Sequence, residues 1–258
     1  PGLFAHSPLT CSEQTLQNSW EISQRFGSPL QIHLSETEEE VIEQEGRTGS
    51  RPAFYLDGLG ILGSGLVAAH AIYLNEDEID LLAERGVKVA HCPESSMKLA
   101  TGIAPVDSML KKGITVGLGT DGCASNNNLD LLAEMDAAAK LGKYARLDPT
   151  VLDARTVLLM ATRGGAELMG IEDTVGTIEA GKKADIIIVD ADAPHMVPLY
   201  HPFSQIVYSA TGGDVRDVVV NGTILYRNRQ FSALDVDEVK REVRRIARMI
   251  RSGERPPL

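Results

Sequence analysis

A chain of 258 residues with 43% hydrophobic and 24% charged content is long enough to bury a sizeable core, and one large domain, or one plus a small partner, is the expected organisation. A net charge of −11 argues against nucleic-acid backbones and anionic membranes as partners, and no run approaches the roughly 18 apolar residues of a membrane span. Cys11, Cys92 and Cys123 have neither zinc-finger nor redox spacing and no secretory signal opens the sequence, so reduced thiols in a cytoplasmic protein are expected.

The first residues, 1–8, read as the end of a strand finishing at His6. Thr10 and Glu13 have capping-box spacing and predict a helix to about Phe26. Leu30 to Leu34 is short, apolar and bounded by Pro29, which reads as a buried parallel strand with His33 near its carboxyl end and Glu36 just beyond. An imidazole beside a carboxyl group suits metal ligation and proton transfer, although a single His in an apolar strand is more often a hydrogen-bonded core residue. The acidic run from Thr37 to Glu45 predicts a helix start with a solvated face, and residues 46–52 a loop. A third apolar run ends around His70. Asn75 and Glu78 then form an N-terminal cap for a helix to about Arg85.

Residues 87–93 read as a fourth strand with His91 near its end, and residues 114–122 as a fifth ending on Asp121. Leu129 to Leu141 reads as helix. Pro149, after Asp148, predicts the first turn of another helical stretch to about Met169. A polar residue therefore stands near each of five strand ends: His6, His33, His70, His91 and Asp121. Parallel α/β barrels place their functional groups at the carboxyl ends of the strands. One such His means little, but the set is hard to attribute to core packing. For His91 a loop-ordering hydrogen bond is the preferred reading.

The pattern then changes. Residues 176–190 are a turn-rich β segment, and residues 218–226 a hairpin around Asn221-Gly222. Val236 to Arg251 predicts an amphipathic helix with Val239, Val243, Ile246, Ala247 and Ile250 on one face and a solvated charged face opposite. The expected division is a barrel portion at 1–172, a small β segment at 173–231 and a terminal helix at 232–258. The Gly117-x-Gly119-x-x-Gly122 match to a dinucleotide fingerprint lacks the supporting context and is set aside.

Several motifs resemble the metal-dependent amidohydrolase superfamily, and within it the 5′-methylthioadenosine/S-adenosylhomocysteine deaminases. They are Ala5-His-Ser-Pro8, His33-Leu-Ser-Glu-Thr37, the strand ending in His70, residues 91–100, and Gly117-Leu-Gly-Thr-Asp-Gly122 with its Ser-Asn-Asn-Asn continuation to 128. The resemblance implies a (β/α)8 TIM-type barrel, incomplete here at about strands 4 to 8, with a small β-sandwich-like segment. It implies zinc, or another divalent metal such as Fe or Mn, held by His33 and Asp121. Asp121 also accepts a proton, Glu36 protonates the substrate ring, and His70 hydrogen-bonds the tetrahedral oxygen. His6 and Ser125 join Glu36 and Asp121 in contacting the substrate, a small-molecule nucleoside. The family's His-x-His pair is absent, and Ser96 stands where the family has Asn. A homo-oligomer, or pairing with a missing amino-terminal part, is expected. The competing readings are a triazine chlorohydrolase or related aminohydrolase, and an inactive fragment lacking two metal ligands.

Overall fold

The computed structural model describes residues 2–255. The chain divides into two compact units, residues 1–182 with 191–212, and residues 183–190 with 213–258. The segment 191–212 thus groups with the first unit and the terminal helix with the second.

The first unit is built on a parallel sheet of β1 (Leu3–Ala5), β2 (Leu30–Leu34), β3 (Leu66–His70), β4 (Lys88–His91) and β5 (Val116–Leu118), paired in that order. Each strand is short and apolar. Leu30, Ile32 and Leu34 are buried while His33 between them is half-buried, and β3 is buried along its whole length. Buried strands of this kind need helices as crossovers. These are α1 (Glu13–Phe26), α2 (Glu38–Thr48), α3 (Pro52–Gly58), α4 (Glu76–Arg85), α5 (Pro93–Leu99) and α6 (Val106–Lys111). After β5 come α7 (Leu131–Arg146), α8 (Ala154–Leu159), a π-helical turn at Met160–Gly164, α9 (Gly165–Met169) and α10 (Pro202–Tyr208). The π turn allows close approach to β5: a Cβ on Gly164 would lie 2.5 Å from the Val116 carbonyl oxygen.

Several boundaries differ from expectation. The α1 cap is Ser12, whose hydroxyl accepts from Thr15 N–H, because Thr10 is engaged by His6 and Ser7. Residues 46–52 are not one loop: α2 runs to Thr48, and Pro52 opens α3. Pro149 does not start a helix. Asp153 does, accepting from Arg155 and Thr156 N–H. β5 stops at Leu118, three residues short of Asp121.

The second unit holds a single antiparallel sheet, where a sandwich-like segment was expected. Its order is β6 (Ile186–Val189), β7 (Val215–Val220), β8 (Thr223–Arg227) and β9 (Gln230–Phe231). Asn221 and Gly222 both take positive φ, 47° and 77°, the conformation a two-residue hairpin turn requires. Helix α11 (Val236–Ser252) is capped by Asp235 and buries none of its residues. Among the described residues, no helix is long and apolar enough to cross a membrane.

An ion pair between a half-buried arginine and a buried carboxylate ties the α3 start to α4. The Glu78 side chain is fully buried and accepts from Arg51 Nε at 2.8 Å, Ala53 N–H at 3.3 Å and Asn75 N–H at 3.1 Å. Asn75 returns the bond by accepting from Glu78 N–H, which completes the capping box. Removing Glu78 takes the acceptor from the half-buried Arg51 and from the Ala53 and Asn75 N–H groups at once. Glu78→Ala is expected to lower unfolding stability by about 3 kcal/mol in urea denaturation, and a loss under about 0.5 kcal/mol, typical of a surface pair, would contradict this.

Candidate metal centre

Parallel pairing of β2 with β3 sets His33 opposite Ala69 and Leu34 opposite His70, so regular alternation alone would send the two imidazoles to opposite faces; the strand departs from it at His70, and the rings lie with centroids 5.3 Å apart. The backbone leaves both strands in the left-handed region: Ser35 has φ 50°, His70 φ 70° and Ala71 φ 51°. Asp121 is also left-handed, at φ 60°. Such conformations cost of order 1–3 kcal/mol each in non-glycine residues and cluster where a site over-determines the backbone.

His33, His70 and Asp121 each offer a ligand atom within 4.8 Å of the others. Glu36 faces the same point, with Oε2 3.8 Å from His70 Nε2, outside hydrogen-bond reach. Burial and the neighbouring His70 push the His33 pKa down, which favours the neutral, ligating imidazole. Burial pushes Asp121 up, but hydrogen bonds from Ser95 Oγ at 2.7 Å and Gly122 N–H at 2.7 Å, with help from His70 and Ser125, carry its pKa below the usual carboxylate value. His70 Nδ1 is buried with no protein partner. A neutral imidazole, a carboxylate and a second imidazole fit a divalent cation such as zinc, whose ligands are neutral His nitrogen and carboxylate oxygen.

The structure brings His33, Glu36, His70 and Asp121 together, where the residues expected to ligate were His33 and Asp121 alone. His6 is exposed beside them, its ring 5.0 Å edge-on to His33 and its Nδ1 2.7 Å from Thr10 Oγ1. Ser125 hydrogen-bonds Asp121 through its side chain. His91 does not order the loop through its side chain: its Nδ1 is buried without a partner, and the ordering bond runs from Gly119 N–H to the His91 carbonyl, at 2.9 Å. A cleft of about 420 Å³ opens onto His33, His70 and Asp121, with apolar walls that include Phe4, Leu118 and Met169.

Sequence reasoning gave no role to Ser95, Glu40 or Glu134. Glu40 Oε2 accepts from Glu36 N–H at 2.8 Å and so holds that residue's backbone, while burial raises the Glu40 pKa. Glu134 is fully buried in α7. One signal could have marked it: an acidic residue sharing a helix face with Ala137 and Ala138 at i+3 and i+4 needs a partner.

The chain belongs to the amidohydrolase family, whose model matches residues 1–225. It is 51% identical over 246 residues to the 5-methylthioadenosine/S-adenosylhomocysteine deaminase of Syntrophobacter fumaroxidans (strain DSM 10017 / MPOB), a match covering 95% of this chain and 56% of that protein. Among solved structures, an adenosine deaminase from Xanthomonas campestris with bound zinc is similar at TM-score 0.95 and 38% identity, over 97% of this chain and 57% of that one. An atrazine chlorohydrolase from Arthrobacter aurescens TC1 complexed with zinc gives TM-score 0.88 and 27% identity, over 95% of this chain and 54% of that one. The chain spans about half the length of the relatives it matches.

Two measurements follow from the site. In isothermal titration with zinc, His33→Ala and Asp121→Ala are each expected to weaken binding by at least about tenfold, and unchanged affinity in both would contradict the cluster as a metal centre. Burial, followed by the charge of His70, lowers His91 from its ordinary 6.5 to about 4. Between those values the unfolded chain takes up a proton that the folded one refuses, so stability falls as pH drops and is restored above the unfolded value. The urea midpoint is expected to fall between about pH 7 and pH 5, and His91→Gln to flatten that slope.

Proposed function

We propose that the chain carries much of the site of a metal-dependent hydrolytic deaminase acting on an adenine nucleoside such as 5′-methylthioadenosine or S-adenosylhomocysteine. The observation that carries this is the convergence of His33, His70 and Asp121 within 4.8 Å, with Glu36 alongside, over an apolar cleft. The names borne by the relatives, two of them deaminases of adenine nucleosides, support the same reading.

His33 and Asp121 would hold the metal. Zinc is the preferred ion, given the zinc-bound neighbour; Fe and Mn are the alternatives. A bound divalent ion supplies Lewis acidity that lowers the pKa of water to about 7. The chain's own groups do the remainder. Asp121, kept anionic by Ser95 and Gly122, accepts the proton released as water attacks C6 of the adenine ring. Glu36, its backbone fixed by Glu40, protonates the ring nitrogen beside that carbon. His70 hydrogen-bonds the oxygen that gains charge at C6. The exocyclic amine takes up a proton and leaves as ammonia, and the ring retains the water oxygen as a carbonyl. His6, exposed at the mouth beside His33, contacts the sugar, and Ser125 lines the same pocket through Asp121.

The five strands are read as the fourth to eighth of a (β/α)8 barrel, completed by an amino-terminal part or by assembly with another copy. A chlorohydrolase is the second reading, favoured by the structural likeness to the atrazine enzyme. The same attack on an electron-poor ring would then expel chloride.

The test is product release by the chain joined to the amino-terminal half of the Syntrophobacter relative and loaded with zinc. Ammonia from 5′-methylthioadenosine, abolished by Glu36→Gln, is the expected result. Chloride from a chlorotriazine without ammonia from the nucleoside would favour the second reading, and undiminished ammonia release by Glu36→Gln would remove that residue from the reaction.

A further inference from the structure

Asp121 lies outside any regular element, three residues beyond β5, in a left-handed conformation. Two segments flank it. One is the first turn of α5, which supplies Ser95 Oγ to Asp121 Oδ2. The other is the segment 122–130, which supplies Gly122 N–H and the Ser125 hydroxyl. That segment contains two more left-handed residues, Asn127 at φ 84° and Leu129 at φ 53°, so its path is not one the backbone would choose alone.

Both segments are tied to one side chain. Glu134 Oε2 accepts from Glu94 N–H at 3.1 Å, in the first turn of α5. Glu134 Oε1 accepts from Asn126 Nδ2 at 2.6 Å, and Asn126 Oδ1 in turn accepts from Leu129 N–H at 2.6 Å. The Glu94 side chain closes the ring by accepting from Asn126 Nδ2 at 3.3 Å and Asn128 Nδ2 at 3.0 Å. Lys98, one turn further along α5, donates to the Ala124 carbonyl at 2.6 Å. Glu134 has no exposed surface, and Asn126 is 8% exposed. A fully buried carboxyl group costs several kcal/mol unless its hydrogen bonds are made, so a segment that releases Asn126 leaves Glu134 stranded.

We infer that Glu134 is a positioning residue for Asp121, clamping the α5 turn that carries Ser95 to the 122–130 segment so that the carboxylate between them is held toward His33 and His70. This rests on the reading of Asp121 as a ligand and proton acceptor, but the clamp itself is a geometric property of the free chain. Glu134 touches no reacting atom. It acts through Glu94 N–H and Asn126.

Both partners donate to Glu134, so Glu134→Gln, nearly isosteric, turns one acceptor into a donor facing a donor. Two readouts on the 258-residue chain test the inference. Co²⁺ titration followed by absorbance is expected to show about tenfold weaker binding in Glu134→Gln, the loss typical when a residue that orients a ligand is altered. Hydrogen exchange followed by mass spectrometry is expected to be about tenfold faster in residues 119–130, with residues 30–34 and 66–70 unchanged. Asn126→Ala should reproduce both effects, and the double variant should be no worse than the worse single one, because the two residues act as one unit. Wild-type Co²⁺ affinity together with wild-type exchange in Glu134→Gln would overturn the inference. So would additive losses in the double variant, or acceleration spread equally over the strands, which would mark Glu134 as a general stability residue. Should the wild-type chain bind no Co²⁺ while residues 119–130 still loosen selectively in both variants, the metal reading fails and the clamp stands.

Discussion

The register between β2 and β3 is the constraint on which the site depends. With His33 opposite Ala69, and the backbone turning left-handed at His70 and Ala71, the imidazole of His33 lies beside the imidazole at the end of the next strand. Because side chains alternate faces, a slip of one residue would turn His33 away and bring Ile32 or Leu34 in its place. Full burial of Leu30, Ile32 and Leu34 on the opposite face makes that slip costly, since each would exchange a dry environment for an exposed one. The apolar residues of β2 therefore hold a polar one in place.

Around this fixed pair the chain gathers carboxyl groups in graded environments. Asp121 receives donors and stays charged, Glu40 is buried and raised, and burial pushes Glu134 up to about 7 against the two hydrogen bonds that favour its anion. Groups of the same chemistry are thus separated by surroundings alone. Those closest to the imidazoles suit a cation. Those further back hold backbone: Glu40 holds Glu36, and Glu134 holds the Glu94 turn and Asn126. Left-handed residues at 35, 70, 71 and 121 recur where strands pass into the site, and each needs neighbours that over-determine it.

Much of this was legible in residue order. Short apolar runs ending in His33, His70 and His91 announced the parallel strands, and Asn75 with Glu78 announced a capping box that forms as expected. The helix starts that misled did so for local reasons. Thr10 has the chemistry of a cap but is taken by His6, and Pro149 has the right φ but lies in a turn that ends at Leu152, φ 45°. The break in the helix before Met169 was hidden because the π turn answers to the closeness of Gly164 to Val116, not to any neighbour in sequence.

The sequence by itself determined which residue types stand near the strand ends, the strand and helix alternation, and the likeness to a family of metal-dependent hydrolases. These are local or periodic properties, written in the order of apolar and polar residues. Only the tertiary structure decided that a His70 nitrogen comes within 4.8 Å of ligand atoms of His33 and Asp121, that Ser125 answers to Asp121, and that a helix acid 13 positions after Asp121 ties down the segment between them. Hydrogen bonds such as Ser95 to Asp121 and Glu134 to Glu94 join residues 26 and 40 positions apart, and no periodicity in the chain encodes which distant donor a buried carboxyl group will meet.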